Sequence, residues 1–224
     1  MTQTILPDKK KPKYSKGEEI FNMVTHNVGG ALGIVATVLC VIFAAKHNNV
    51  YGVVSSCIFG ASMIILYTMS SIYHGLSPNL KAKKVFRILD HCSIFLLIAG
   101  TYTPFALCTL RQYDIATGWI IFGIVQAMAI LGIVLNAVNM KKYKTFSFIC
   151  YLVMGWCILA KINLLPKLLG MTGFVLLLSG GIVYTIGAIL YGIGKKKKWM
   201  HSIFHIFIVI GSLLHFLCIL LYVV

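Results

Sequence analysis

The stretch VYGVVSSCIFGASMIILYTMSSIY, residues 50–73, runs for 24 residues without an Asp, Glu, Lys or Arg. A helix crosses a bilayer with about 20 mainly apolar residues, each adding about 1.5 Å. Lipid offers no partner to backbone N–H and C=O groups, so a spanning segment must satisfy them within itself or within a closed barrel. A barrel strand would alternate apolar and polar side chains over about 10 residues. This run is continuous, and it reads as a membrane helix.

Working outward, six further apolar stretches follow the same pattern, at residues 23–45, 88–110, 115–138, 145–165, 168–193 and 199–224. Of the 224 residues, 59% are hydrophobic and only 11% charged, with a mean hydropathy of +0.89. A soluble domain carries about 25% charged residues, so an ordinary water-soluble enzyme is excluded. The expected fold is all-α, a seven-transmembrane-helix bundle. Residues 1–18 are expected to form a basic tail, and residues 19–224 a single membrane domain. The tail is polar and Lys-rich up to Glu19, and no cleavable signal peptide is expected.

Lys and Arg total 20 against 5 Asp and Glu, a formal charge of +15. In a soluble protein that excess would point to nucleic acid; with seven spans it is sorted by loop instead. One side of the membrane receives Lys9, Lys10, Lys11, Lys13 and Lys16, then Lys81, Lys83, Lys84 and Arg87. The same side receives Lys141, Lys142, Lys144 and Lys195 to Lys198. The other receives Lys46, Arg111, Lys161 and Lys167. Basic residues collect in cytoplasmic loops, so the N-terminus is expected to be cytoplasmic and the C-terminus outside. Adding or removing one span would scatter the basic clusters over both faces. The charge therefore implies no nucleic acid partner.

Seven Cys (40, 57, 92, 108, 150, 157 and 218) lie in apolar stretches without a CxxC pair, which reads as small buried hydrophobes rather than a disulfide or thiolate framework. Gly29, Gly30, Gly33, Gly180 and Gly181 point to close helix contacts.

Ionisable residues inside a membrane are costly and often functional. Ser70 and His74 fall at the cytoplasmic end of the second span, Asp90 and His91 in the first turn of the third, and His201 and His205 in the first two turns of the seventh. His201 and His205 are spaced i, i+4 and share a helix face, as do Ser70 and His74. His74, His201, His205 and Asp90 thus reach one depth. Three neutral imidazoles are a common catalytic zinc set that leaves a fourth position for water. Asp90 could take a proton from that water or hold a ligand His, and Ser70 could contact a polarised carbonyl. The plainer readings are histidines meeting headgroups, Asp90 paired with Arg87, and Ser70 bonded to its own helix. His91 points about 100° away from Asp90 on the helix and is set aside. Glu19, Asn22 and His26 share a face of the first span, either packing against the metal site or forming an interfacial stripe.

EEIFNMVTH at 18–26, SSIYH at 70–74, LDHCSIFLLIAGTYTP at 89–104 and HSIFH at 201–205 together resemble the hemolysin III branch of the progestin and adipoQ receptor family. The resemblance covers nearly the whole chain. It implies a zinc ion on His74, His201 and His205, with the family's aspartate at Asp90 and its serine at Ser70. In the receptor and alkaline ceramidase relatives the aspartate contacts the zinc-bound water, and the implied chemistry is hydrolysis of a lipid amide. The chain lacks the large soluble N-terminal region of the animal receptors, so a compact bacterial plasma-membrane form is expected rather than a hormone receptor.

Three functions compete. The first is a zinc-dependent hydrolase of a lipid amide or ester, with a membrane lipid as substrate or ligand. The second is a non-catalytic sensor in which zinc staples the second span to the seventh. The third is a cytolytic pore or transporter using Glu19, His26 and Asp90 as a proton relay; no broken-helix pair supports it.

Overall fold

A computed structural model describes residues 14–193 and 197–224. Lys9, Lys10, Lys11, Lys13, Lys195 and Lys196 therefore lie outside the described residues. Among the described residues, seven helices are long and apolar enough to cross a membrane: α1 Lys16–Lys46, α2 Val50–Gly75, α3 Lys81–Tyr113, α4 Ile115–Asn139, α5 Lys144–Lys161, α6 Leu165–Gly192 and α7 Met200–Tyr222. The described residues form no strands.

α1 begins earlier than its apolar run because Ser15 opens it with a capping box, exchanging hydrogen bonds with Glu18. Glu18, Asn22, His26, Gly29, Gly33, Ala36, Cys40 and Ala44 then fall on one face at three- and four-residue spacing and are buried. The polar end of that face meets the candidate site, and the glycine end meets α2. A Cβ built on Gly29 would stand 2.5 Å from the Tyr67 ring, and one on Gly33 would stand 3.1 Å from Met63 Cβ. A Cβ on Gly180 would strike His215, so the close-packing reading holds for Gly29, Gly33 and Gly180, whereas Gly30 and Gly181 would leave a Cβ at ordinary contact distances of 3.8 and 3.5 Å.

α3 is the most enclosed helix, packed against α2 and α4. It starts at Lys81, seven residues before its apolar run. Asp90 therefore sits in the third turn of the helix, not the first. Polar residues extend the helix through the interface, where water still satisfies side chains. Pro104, lacking an N–H, is followed by a buried π-helical turn at Phe105–Leu110. α5 ends in a 3₁₀ turn at Cys157–Lys161. There Tyr102 donates its hydroxyl to the Gly155 carbonyl at 2.9 Å and accepts the Ile158 N–H at 3.0 Å. Phe59, Met63, Tyr67, Phe95, Phe105 and Met154 fill the core. Val28, Ile34, Ile120, Ile130 and Val138 face outward, as lipid contact requires.

Candidate metal centre

His74 stands in the last turn of α2, and His201 and His205 in the first turns of α7. His201 Nε2 lies 3.3 Å from His74 Nε2 and 3.0 Å from His205 Nε2. His74 and His205 are buried, and the three rings could together hold a metal ion. The tautomer of His74 is set from behind. Its Nδ1–H donates to Glu19 Oε2 at 2.5 Å, and Asn22 Nδ2 is 3.5 Å away. The other Glu19 oxygen accepts Lys83 Nζ at 2.7 Å. With Nδ1–H engaged, His74 presents a bare lone pair on Nε2 to the other two rings. A carboxylate behind an imidazole is the usual way to orient a ligand histidine. Converging imidazole nitrogens with one lone pair already fixed fit a divalent metal.

The polar stripe of α1 is thereby placed: it packs against the triad. His26 lies flat on His205, with ring centroids 3.7 Å apart and planes 20° apart, and edge-on to Tyr67. Neither buried nitrogen of His26 has a hydrogen-bond partner among the described residues.

Asp90 and Ser70 line a cavity of about 350 Å³ together with His201 and His205. All seven helices contribute to its wall, and it continues along Ile208 and Tyr184 to His215. Asp90 forms no ion pair with Arg87 among the described residues; the His91 ring stands beside it, Nδ1 at 3.5 Å from Oδ2. His91, set aside on helical spacing, nonetheless lines the same cavity as Asp90. Adjacent residues diverge on the helix, but the ring bends back, donating Nδ1–H to the Arg87 carbonyl at 2.9 Å beside the carboxylate. Deeper in the bundle, Ser212 joins the Tyr67 and Tyr184 hydroxyls at 2.6 and 2.7 Å, and Tyr184 stacks on His215. The seven cysteines are free thiols, mostly buried.

One residue at the site had no signal in the sequence. Tyr14 stacks on His201, and burial holds its phenol well above its ordinary range.

Residues 14–216 match the family described as Haemolysin-III related. The chain belongs to the haemolysin III family. Hemolysin-3 of Bacillus cereus is 42% identical over 206 residues, 92% of each chain. The Hemolysin-3 homolog of Bacillus subtilis (strain 168) is 41% identical over 207 residues, 92% of this chain and 95% of that one. Monocyte to macrophage differentiation factor of Homo sapiens is 23% identical over 171 residues, 73% of this chain and 68% of that protein. This haemolysin III family member is a multi-pass membrane protein with a clustered histidine triad.

Proposed function

We propose that this protein is a zinc-dependent hydrolase of a lipid amide or ester, with zinc on His74, His201 and His205 at the cytoplasmic side of a bacterial plasma membrane. The observation that carries the reading is the convergence of three imidazole nitrogens, with His201 and His205 of that triad on the wall of a cavity that also bears Asp90 and Ser70. Zinc, when bound, supplies Lewis acidity that polarises a carbonyl and lowers the pKa of water toward about 7.

The rest follows from the protein's own groups. Glu19 fixes the His74 ring, so the ligand lone pair does not wander. Asp90 accepts a proton from the attacking water as its oxygen bonds to the carbonyl carbon. Ser70 donates a hydrogen bond to the carbonyl oxygen. The bond from that carbon to nitrogen or oxygen then breaks, and Asp90 returns the proton to the leaving amine or alkoxide. The products are a fatty acid, which releases its proton to water at neutral pH, and an amine or alcohol. The apolar length of the cavity holds the chain.

The test is Asp90→Asn. Zinc content should be unchanged while turnover of a lipid amide falls by about 10²- to 10⁴-fold, the scale of a lost general base. Full turnover in that variant rejects Asp90 as the base.

A second reading has its own support. His74 stands on α2, while His201 and His205 stand on α7. A metal would then staple two helices far apart in sequence, as in a sensor of membrane state. Loss of zinc from His205→Ala with no change in melting would reject the staple.

A further inference from the structure

The triad is bordered on one side by a residue from outside the helices. The Tyr14 ring lies nearly parallel to His201, with centroids 4.8 Å apart and planes 13° apart, and 5.7 Å from the His74 ring. It stands two residues before α1, next to Ser15, the N-cap of that helix. Ser15 donates its N–H and hydroxyl to Glu18 Oε2 at 2.9 and 2.8 Å, and Glu18 N–H donates back to Ser15 Oγ. The other Glu18 oxygen accepts the Trp199 N–H at 2.7 Å, joining the start of α1 to the start of α7.

That second bond is unusual in position. Trp199 precedes α7 with a left-handed backbone (φ 65°, ψ −8°) and offers no side-chain cap of its own. Glu18, from the far end of the sequence, supplies the acceptor, and its negative charge suits a helix N-terminus. Phe21 meets the Trp199 ring edge-on at 5.9 Å. His201 is the second residue of α7. Its backbone is thus anchored through Glu18, and its ring is covered by Tyr14.

We infer that Tyr14 is a positioning and shielding residue of the triad: its ring holds His201 in register with His74 and His205 and keeps bulk solvent off that face. The inference concerns the histidines themselves; only its metal readout rests on the zinc reading. The contact with His201 is made by the aromatic face, so Tyr14→Phe should keep the shielding and Tyr14→Ala should remove it.

The experiment uses the full chain in detergent. Metal-stripped protein is treated with diethyl pyrocarbonate, and modification of His201 is followed by peptide mass spectrometry against exposed His47 as the reference. Tyr14→Ala should raise the His201 rate several-fold relative to His47, while Tyr14→Phe stays at the wild-type ratio. An unchanged ratio in Tyr14→Ala overturns the inference, and so does a Phe variant that labels as fast as the Ala variant. A rise shared equally by buried His26 and His215 reports general loosening and also overturns it. In a second arm zinc-loaded protein is challenged with a chelator, and Tyr14→Ala should release zinc about tenfold faster, the lower end expected when support behind a ligand is lost. If wild type holds no zinc, the zinc reading fails and the labelling arm alone decides Tyr14.

Discussion

Glu19 divides its carboxylate between two partners, His74 on one oxygen and Lys83 on the other. It therefore sets both a tautomer and a charge. Glu19→Gln keeps the shape but removes the charge that holds the His74 Nδ1–H. Zinc affinity should fall by about 10- to 100-fold, measured by competition with a chromophoric chelator. The clustering of the three histidines was legible because a polar residue in an apolar run stands out by itself, and the same signal drew attention to Asp90 and Ser70 on the cavity wall. Tyr14 gave no such signal, because a Tyr at the edge of a polar tail is ordinary until the fold brings it onto His201. The approach of His91 to Asp90 was not legible, because helical spacing gives the direction of Cβ and not the bend of the ring beyond it.

The helices meet at glycines, and that contact can be tested directly. A methyl group at Gly29 would lie 2.5 Å from the Tyr67 ring, whereas nothing lies within 4 Å of one at Gly123. Gly29→Ala should lower the melting temperature, at a cost of about 1–3 kcal/mol for overpacking. Gly123→Ala should be neutral or stabilising, by up to about 1 kcal/mol, because it removes only glycine's backbone freedom. Asp114 opens α4 as an N-cap, accepting the Thr117 N–H at 2.7 Å. Hydrogen bonding to Thr117 holds its carboxyl below the ordinary value. Its contribution is complete at neutral pH and is lost as pH falls through the carboxylate range. Asp114→Ala should remove that part of the acid sensitivity in melting curves recorded against pH. At this scale the apolar runs named every helix. The starts of α1 and α3 were missed because capping and interfacial polar residues carry a helix beyond its hydrophobic length.

For the molecule as a whole, ligand binding should report on assembly. Zinc that binds only the folded bundle stabilises it by about 2.7 kcal/mol at 100 times its Kd. Wild type should therefore melt higher with added zinc, and His205→Ala should not respond. The one-sided distribution of Lys and Arg predicts that a reporter fused after Val224 reads outside the cytoplasm and one fused before Met1 reads inside. A reversed result would invert the orientation while leaving the helix packing untouched.

Lys83 belongs to both of these accounts. During insertion it is one of the positive charges that hold the loop between α2 and α3 back from crossing, in the orientation we propose. After folding, the same ammonium grips Glu19 and the Leu76 carbonyl and lies over the Tyr73 ring. One side chain is thus read twice, first by the machinery that threads the chain and later by the finished site. A neutral residue at this position would disturb biogenesis and chemistry together, and only re-placing a lysine on either side of it would separate the two.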